Sequence, residues 1–294
     1  MKTEYKCLEC ALTGFIHLVD KQDISKKRKD DLIRWFFRYM SNSNFDKPAP
    51  FIAREIHAYL RNELNCNDLY ADDKKQDNDR ILSMLPEFQR AVDSDPDPQI
   101  AALKLAIAGN IIDLGTNHGM NHTEVIENAI ARELAVDDFS MLSTQIKVSN
   151  NFLYLCDNAG EIVFDKLFID TLVKLGVLDK KQITLAVRGE PIINDATLED
   201  AAYVGLDRDY KVISNGDCAP GTCLGFTSPE FIKAFSEADF IISKGQGNFE
   251  SLISNKDKTI FFMLIAKCSL VADHLGVNVG DMVCKLHKNE AEKR

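Results

Sequence analysis

Residues 151–167 read NFLYLCDNAGEIVFDKL. The apolar run NFLYLC ends in the polar turn Asp157-Asn158-Ala159-Gly160, and an amphipathic helical pattern starts at Glu161. That is one β-turn-α step, and it recurs downstream. QITLAVR leads to ATLEDAAYVGL, KVIS precedes SPEFIKAFSEA, and DFIISKG precedes a further helical stretch before KTIFFML. Repeated βα units predict an α/β fold, a mostly parallel sheet covered by helices on both faces. Ligands in such sheets sit beyond the carboxyl ends of the strands.

Upstream of this stretch the pattern is helical. DDLIRWFFRYM and PFIAREIHAYLRNEL repeat apolar residues at helical spacing, with Pro48 and Pro50 between them. The polar run 72–80 reads as a solvated turn or a helix start. DPDPQ, from Asp95, is a breaker and helix entry before IAALKLAIAGNIIDLG. The division expected is a helical N-terminal region over 1–95 and an α/β body over 96–294.

With 294 residues, 45% of them hydrophobic, the chain can bury a substantial core. A formal charge of −10 argues against broad binding to nucleic acid, so an anionic ligand must meet a local positive pocket. No run approaches the roughly 20 apolar residues of a membrane span, and no signal peptide is read in MKTEYKCLECALTGF. A cytoplasmic protein with reduced cysteines is the expectation.

Each strand end carries a polar cluster. Asp157 and Asn158 follow the first strand, and Asn158 with Glu161 also fits a variant of the helix capping box. Arg188, Asn194 and Asp195 follow the next. An Asp and an Asn from one strand end plus an Asp from its neighbour make an all-oxygen set suited to Mg²⁺ or Mn²⁺. A third cluster, Lys244-Gly245-Gln246-Gly247-Asn248, offers a point charge and a glycine-rich turn at a helix entry, where anions bind. Asn215, Gly216, Gly221 and Thr222 lie on a polar loop of the same rim. Asn110 and Asp113 share one face of an otherwise apolar helical stretch, to brace the site or to tie two helices together.

Taken together these motifs resemble the damage-control phosphatases, long catalogued as domain-of-unknown-function-89 proteins. The resemblance rests on Ala108-Gly109-Asn110 with Asp113, Cys156-Asp157-Asn158-Ala159-Gly160-Glu161, Arg188-Gly189 with Asn194-Asp195-Ala196-Thr197, Asn215-Gly216, Pro220-Gly221-Thr222, and Lys244 to Glu250. It runs from the N-terminal CLEC to at least Lys267 and is closest to the stand-alone subgroup with the KGQGN motif. It implies a Rossmann-like α/β/α body that hydrolyses small phosphorylated metabolites with a divalent metal (Mn, Co, Ni or Mg). It also implies that Asp157, Asn158 and Asp195 are the metal ligands and that Lys244 and the following glycines belong to the phosphate-binding part.

The chemistry that follows is attack by water, with Lys244 and Arg188 balancing charge on the transferring group and an acidic ligand acting as base. A phosphoaspartate route through Asp157 is the alternative. The haloacid-dehalogenase pattern wants a second Asp two residues on, where this chain has Ala159. A dinucleotide-binding reading lacks its G-x-G-x-x-G. A thiol- or metal-binding regulatory protein would instead use Cys7, Cys10, Cys218 and Cys223, although the second pair has the wrong spacing for a common zinc ribbon. His118 and His122 stand at i,i+4 spacing, but Gly119 and Asn121 favour a polar loop there.

Overall fold

The computed structural model describes residues 1–109 and 122–288. Helices α1 (Tyr5–Asp20), α2 (Lys26–Ser41) and α3 (Ala49–Leu64) form a cluster with its own core. Ser25 caps α2 by accepting from the Arg28 N–H at 3.3 Å. Leu32, Phe36 and Met40 then recur every fourth residue on its buried face, against Ile52, Ile56 and Leu60 of α3 and Phe15, Leu18 and Val19 of α1. Asn65, in the left-handed conformation, ends α3.

The fourth helix, α4 (Ala71–Ser94), belongs to a different core. Its Ile81, Met84, Phe88 and Val92 pack with the body, and Phe88 meets Phe164 edge to face at 4.6 Å. The polar run 72–80 is therefore the first half of a long helix. Two of its polar side chains, Lys74 and Asn78, are buried because both reach Asp200.

Beyond α5 (Pro98–Ala108) and α6 (His122–Ala131) the chain alternates. It runs β1 (Leu134–Asp137), α7 (Phe139–Val148), β2 (Phe152–Leu155), α8 (Glu161–Lys174), β3 (Ile183–Val187), α9 (Leu198–Tyr203) and β4 (Lys211–Ser214). There follow α10 (Pro229–Glu237), β5 (Phe240–Lys244), α11 (Gln246–Leu252), β6 (Ile260–Ile265), α12 (Ser269–Leu275) and β7 (Met282–His287). The strands pair in the order β1-β7-β6-β5-β2-β3-β4, all parallel except β6 with β7. This is the mostly parallel α/β sheet expected from the sequence.

Central strand β2 is buried at every position, as a strand covered on both faces must be. Its residues still sort by face. Phe152 and Tyr154 join the core under α4, α5 and α8, while Leu153 and Leu155 join the one under α10, α11 and α12. From β2 the chain moves outward to β3 and β4, then returns to lay β5 on the other side. That reversal opens a crevice at the carboxyl ends of β2, β3 and β5.

Asn78 fastens α4 to the mouth of this crevice. Its carbonyl accepts the Gly160 N–H at 2.7 Å and its amide donates to Asp200 at 3.1 Å. Asn78→Ala leaves a buried N–H without a partner, and about 1–3 kcal/mol of stability should be lost. A lowered urea midpoint at unchanged slope is the expected result.

Candidate active site

The turns after β2 and β3 are zipped together by backbone. Ala159 N–H donates to Asn194 O and Ala196 N–H to Asp157 O, each at 2.8 Å, and Asn158 and Asp195 form an isolated antiparallel bridge. Neither turn spends its acid on a helix cap. Gly160, with φ of 73°, precedes α8 without a side-chain cap, and Thr197 with Asp200 forms the capping box of α9. Asp157, Asn158 and Asp195 are thus adjacent, buried and released from local duty.

Arg188, wholly buried at the end of β3, joins the two acids. Its Nε donates to Asp195 Oδ2 at 2.6 Å, one Nη donates to Asp157 Oδ1 at 3.3 Å, and the other donates to Asn248 Oδ1 at 3.2 Å. The Asn158 amide donates to Asp157 Oδ2 at 2.7 Å and to Glu161 at 3.1 Å. Gly245 is required beside them: with φ of 77°, it leaves no room for a Cβ, which would collide with the Asp157 carboxylate.

Lys244 lies beneath this layer, fully buried. Its ammonium donates to Ala106 O at 2.7 Å, Glu161 Oε1 at 2.5 Å and Asp165 Oδ1 at 2.6 Å. Three donors meet three protein acceptors, so the phosphate-binding role expected of Lys244 has no support in this geometry. Tyr154 closes the cluster by donating to Asp165 at 2.6 Å.

The charge of the cluster does not balance. Asp157, Glu161, Asp165 and Asp195 are four buried carboxylates linked through Asn158, and they share two buried cations, Arg188 and Lys244. The full ionised set has two negative charges in excess, the charge of one divalent cation. Burial, then the charges of Asp195 and Glu161, push the Asp157 carboxyl up to about 7. Burial also raises Asp195 against the pull of Arg188, and brings Asp165 up to about 6. Asp195 Oδ1 has no hydrogen-bond partner among the described residues. Two carboxylates and a carboxamide, short of positive charge, are an oxygen donor set that fits a hard divalent cation.

A cavity of about 500 Å³ opens over these residues, between the sheet ends and α1 and α3. Asp157, Asn158, Asn194, Asp195, Gly247 and Lys267 line it. Lys267, just past β6, is exposed and carries no ion pair among the described residues; its charge draws down both Asp157 and Asp195. Gln246 sets it on the rim by accepting the Lys267 N–H at 2.9 Å. Lys267 is the candidate that the sequence did not single out. Its one signal is its place two residues after the apolar run IFFMLI, just past a strand end.

The remaining candidates serve the frame. Asn248 supports Arg188 and accepts from Thr222 Oγ1 at 2.8 Å, and Asn215 accepts from the Gly189 and Asp217 N–H groups at 2.9 Å each. Gly216, with φ of 77°, packs against Ser228. Asn110, Asp113, His118 and the side chain of His122 lie outside the described residues. All eight cysteines are unpaired. Cys7 and Cys10 lie near Cys268 and Glu250, whereas Cys218 and Cys223 lie near Asp217 and Arg54. Among the described residues no group of three or more His, Cys, Asp or Glu side chains is disposed to hold a metal, so the four-thiol site of the regulatory reading is not found there.

The two lysines should separate in a stability measurement. Lys244→Met strands two buried carboxylates and should cost about 3–5 kcal/mol. Lys267→Met should leave the urea midpoint unchanged.

The damage-control phosphatase ARMT1-like domain matches residues 3–283. An uncharacterised protein of Methanocaldococcus jannaschii is 34% identical over 96% of this chain and 95% of its own length. Damage-control phosphatases of Pyrococcus horikoshii and Archaeoglobus fulgidus are 33% and 32% identical, over 98% and 97% of this chain and 99% of their own. The crystal structure of a domain-of-unknown-function-89 family protein of P. horikoshii superposes with a TM-score of 0.86 at 32% identity, covering 99% of this chain and all of that one. With the domain matched over nearly its whole length, the chain belongs to the damage-control phosphatase family.

Proposed function

We propose that the protein is a divalent-cation-dependent phosphomonoester hydrolase acting on small phosphorylated metabolites in the cytoplasm, as a metabolite damage-control enzyme. Sugar phosphates, phosphopantetheine-like compounds and nucleotides are the substrate classes that the family resemblance offers. The observation that carries the reading is the buried cluster of Asp157, Glu161, Asp165 and Asp195, two positive charges short of balance, facing a cavity whose rim holds Lys267. Among the described residues no helix is long and apolar enough to cross a membrane.

Asp157, Asn158 and Asp195 would hold the cation, with Mn, Co, Ni and Mg the ions that suit an oxygen set. When bound, it supplies Lewis acidity toward a phosphoryl oxygen. The chain's own groups do the rest. Arg188 fixes the orientation of both carboxylates and leaves Asp195 Oδ1 available to take a proton from the attacking water. Lys267 balances charge on the phosphoryl oxygens, with backbone N–H groups of the first turn of α11 beside it. Both Asp157 oxygens are engaged, by Arg188 and by Asn158, which supports water over Asp157 as the nucleophile.

Purified protein should release phosphate from an aryl phosphate when Mn²⁺, Co²⁺, Ni²⁺ or Mg²⁺ is present and not after chelation. Asp157→Ala and Asp195→Ala should each lose at least about 100-fold in kcat/KM with an unchanged circular dichroism spectrum. Lys267→Met should lose about 100-fold, mainly in kcat. Full activity in both aspartate variants would sink the assignment.

Cation binding should also depend on pH. The folded Asp157 carboxyl, at about 7, lies above an unfolded carboxyl of about 3.9, so the cation-free fold loses stability as pH rises through that window. A bound cation needs the ionised form, so its stabilisation grows in the same direction. The rise in melting temperature on adding Mn²⁺ should be larger at pH 8 than at pH 6. Equal shifts at both would exclude Asp157 as a ligand.

A further inference from the structure

The cavity that begins at the acids does not end there. It continues to Gly14 and Phe15 of α1 and to Ile52, Ala53, Ile56 and Leu60 of α3. The polar groups that α1 and α3 bring to it are Lys6, Cys7, Cys10 and His57, with no carboxylate or carboxamide among them, and the Gln246 and Glu250 side chains of α11 that also line it are hydrogen-bonded to each other at 2.8 Å. A hydroxyl buried there without a partner keeps its full desolvation cost. His57, also on α3, is neutral at physiological pH: burial, then the charge of Arg61, pull its imidazole down to about 4.

Gly14 is the second observation. It stands in the interior of α1, where glycine weakens a helix relative to alanine. Packing does not require it, because a Cβ built there would meet nothing within 4 Å, and its φ is not left-handed. The missing side chain leaves room in the cavity wall.

Resting on the phosphatase reading above, we infer that α1 and α3 form a seat for the organic part of the substrate. That part is an apolar aryl or alkyl group, in preference to a polyhydroxylated sugar. The phosphoryl group lies toward Asp157, Asp195 and Lys267, and the apolar group lies toward Gly14 and Ala53.

The test is kcat/KM for 1-naphthyl phosphate, methyl phosphate and a hexose 6-phosphate, measured on the wild type, Gly14→Leu and Ala53→Leu with the activating cation present. The wild type should favour the naphthyl ester over the hexose ester by at least about tenfold. In each variant the ratio of naphthyl to methyl ester should fall by at least about tenfold. Gly14→Leu should melt no lower than the wild type, since it improves the helix, and Ala53→Leu probes the second helix of the seat independently. An unaltered ratio in both variants, or a wild-type preference for the hexose ester, overturns this inference and leaves the phosphatase reading standing. No hydrolysis of any ester with any of the four cations overturns both.

Discussion

The guanidinium shared between Asp157 and Asp195 is the constraint around which the rest of the molecule is arranged. Two carboxylates buried side by side repel one another, and without a partner they would take up protons. Arg188 keeps both in place by donating to one oxygen of each. It can do so only because its third edge is held by Asn248, which is itself held by Thr222 and by the carbonyl of Lys244. The KGQGN stretch is therefore explained twice over: its first glycine makes way for the Asp157 carboxylate, and its asparagine aims the arginine.

One Arg cannot neutralise this floor, and neither can Arg188 and Lys244 together. Stability alone would favour removing the excess carboxylates, because uncompensated buried charge is costly. Asn158 extends the imbalance by joining Asp157 to Glu161, so the upper and lower ion pairs act as one electrostatic unit. A cation of charge two, as proposed above, would bring such a unit to balance. The backbone bridge between the two turns prevents the acids from relaxing apart.

The parts of this structure that were legible in the sequence are those set by local pattern. Five strands, the crevice at their carboxyl ends and the pairing of two acidic turns follow from apolar runs ending in polar turns. β1 and β7 did not announce themselves: LAVD is a short, half-exposed edge strand, and MVCKLH is recruited antiparallel to β6 by pairing alone. The run 72–80 looked solvated because the Asp200 that buries Lys74 and Asn78 lies more than a hundred residues away. Lys244 and Lys267 show the same limit at the site itself. Both follow apolar strand residues, and only the three-dimensional neighbourhood reveals that one ammonium is spent on Glu161 and Asp165 while the other has no ion pair among the described residues. The acids that hold Lys244 did leave a trace, since Glu161 and Asp165 stand four apart on the buried, otherwise apolar face of α8.

The division of cores gives the two sides of the cavity different physical freedom. The floor is built on β2, β3 and β5 inside the main core, where Asp157, Asp195 and Asn248 are all tied to Arg188 and a change of one side chain propagates through it. The opposite wall belongs to the separate core of α1, α2 and α3. That cluster is attached to the body largely through side chains, among them Arg54 on Asp217 at 2.6 Å and Arg61 on Glu190. A wall with its own core can change shape without disturbing the acids. On the reading proposed above, phosphoryl chemistry and the recognition of what the phosphoryl group is attached to fall to separately packed parts of one chain, which line one cavity.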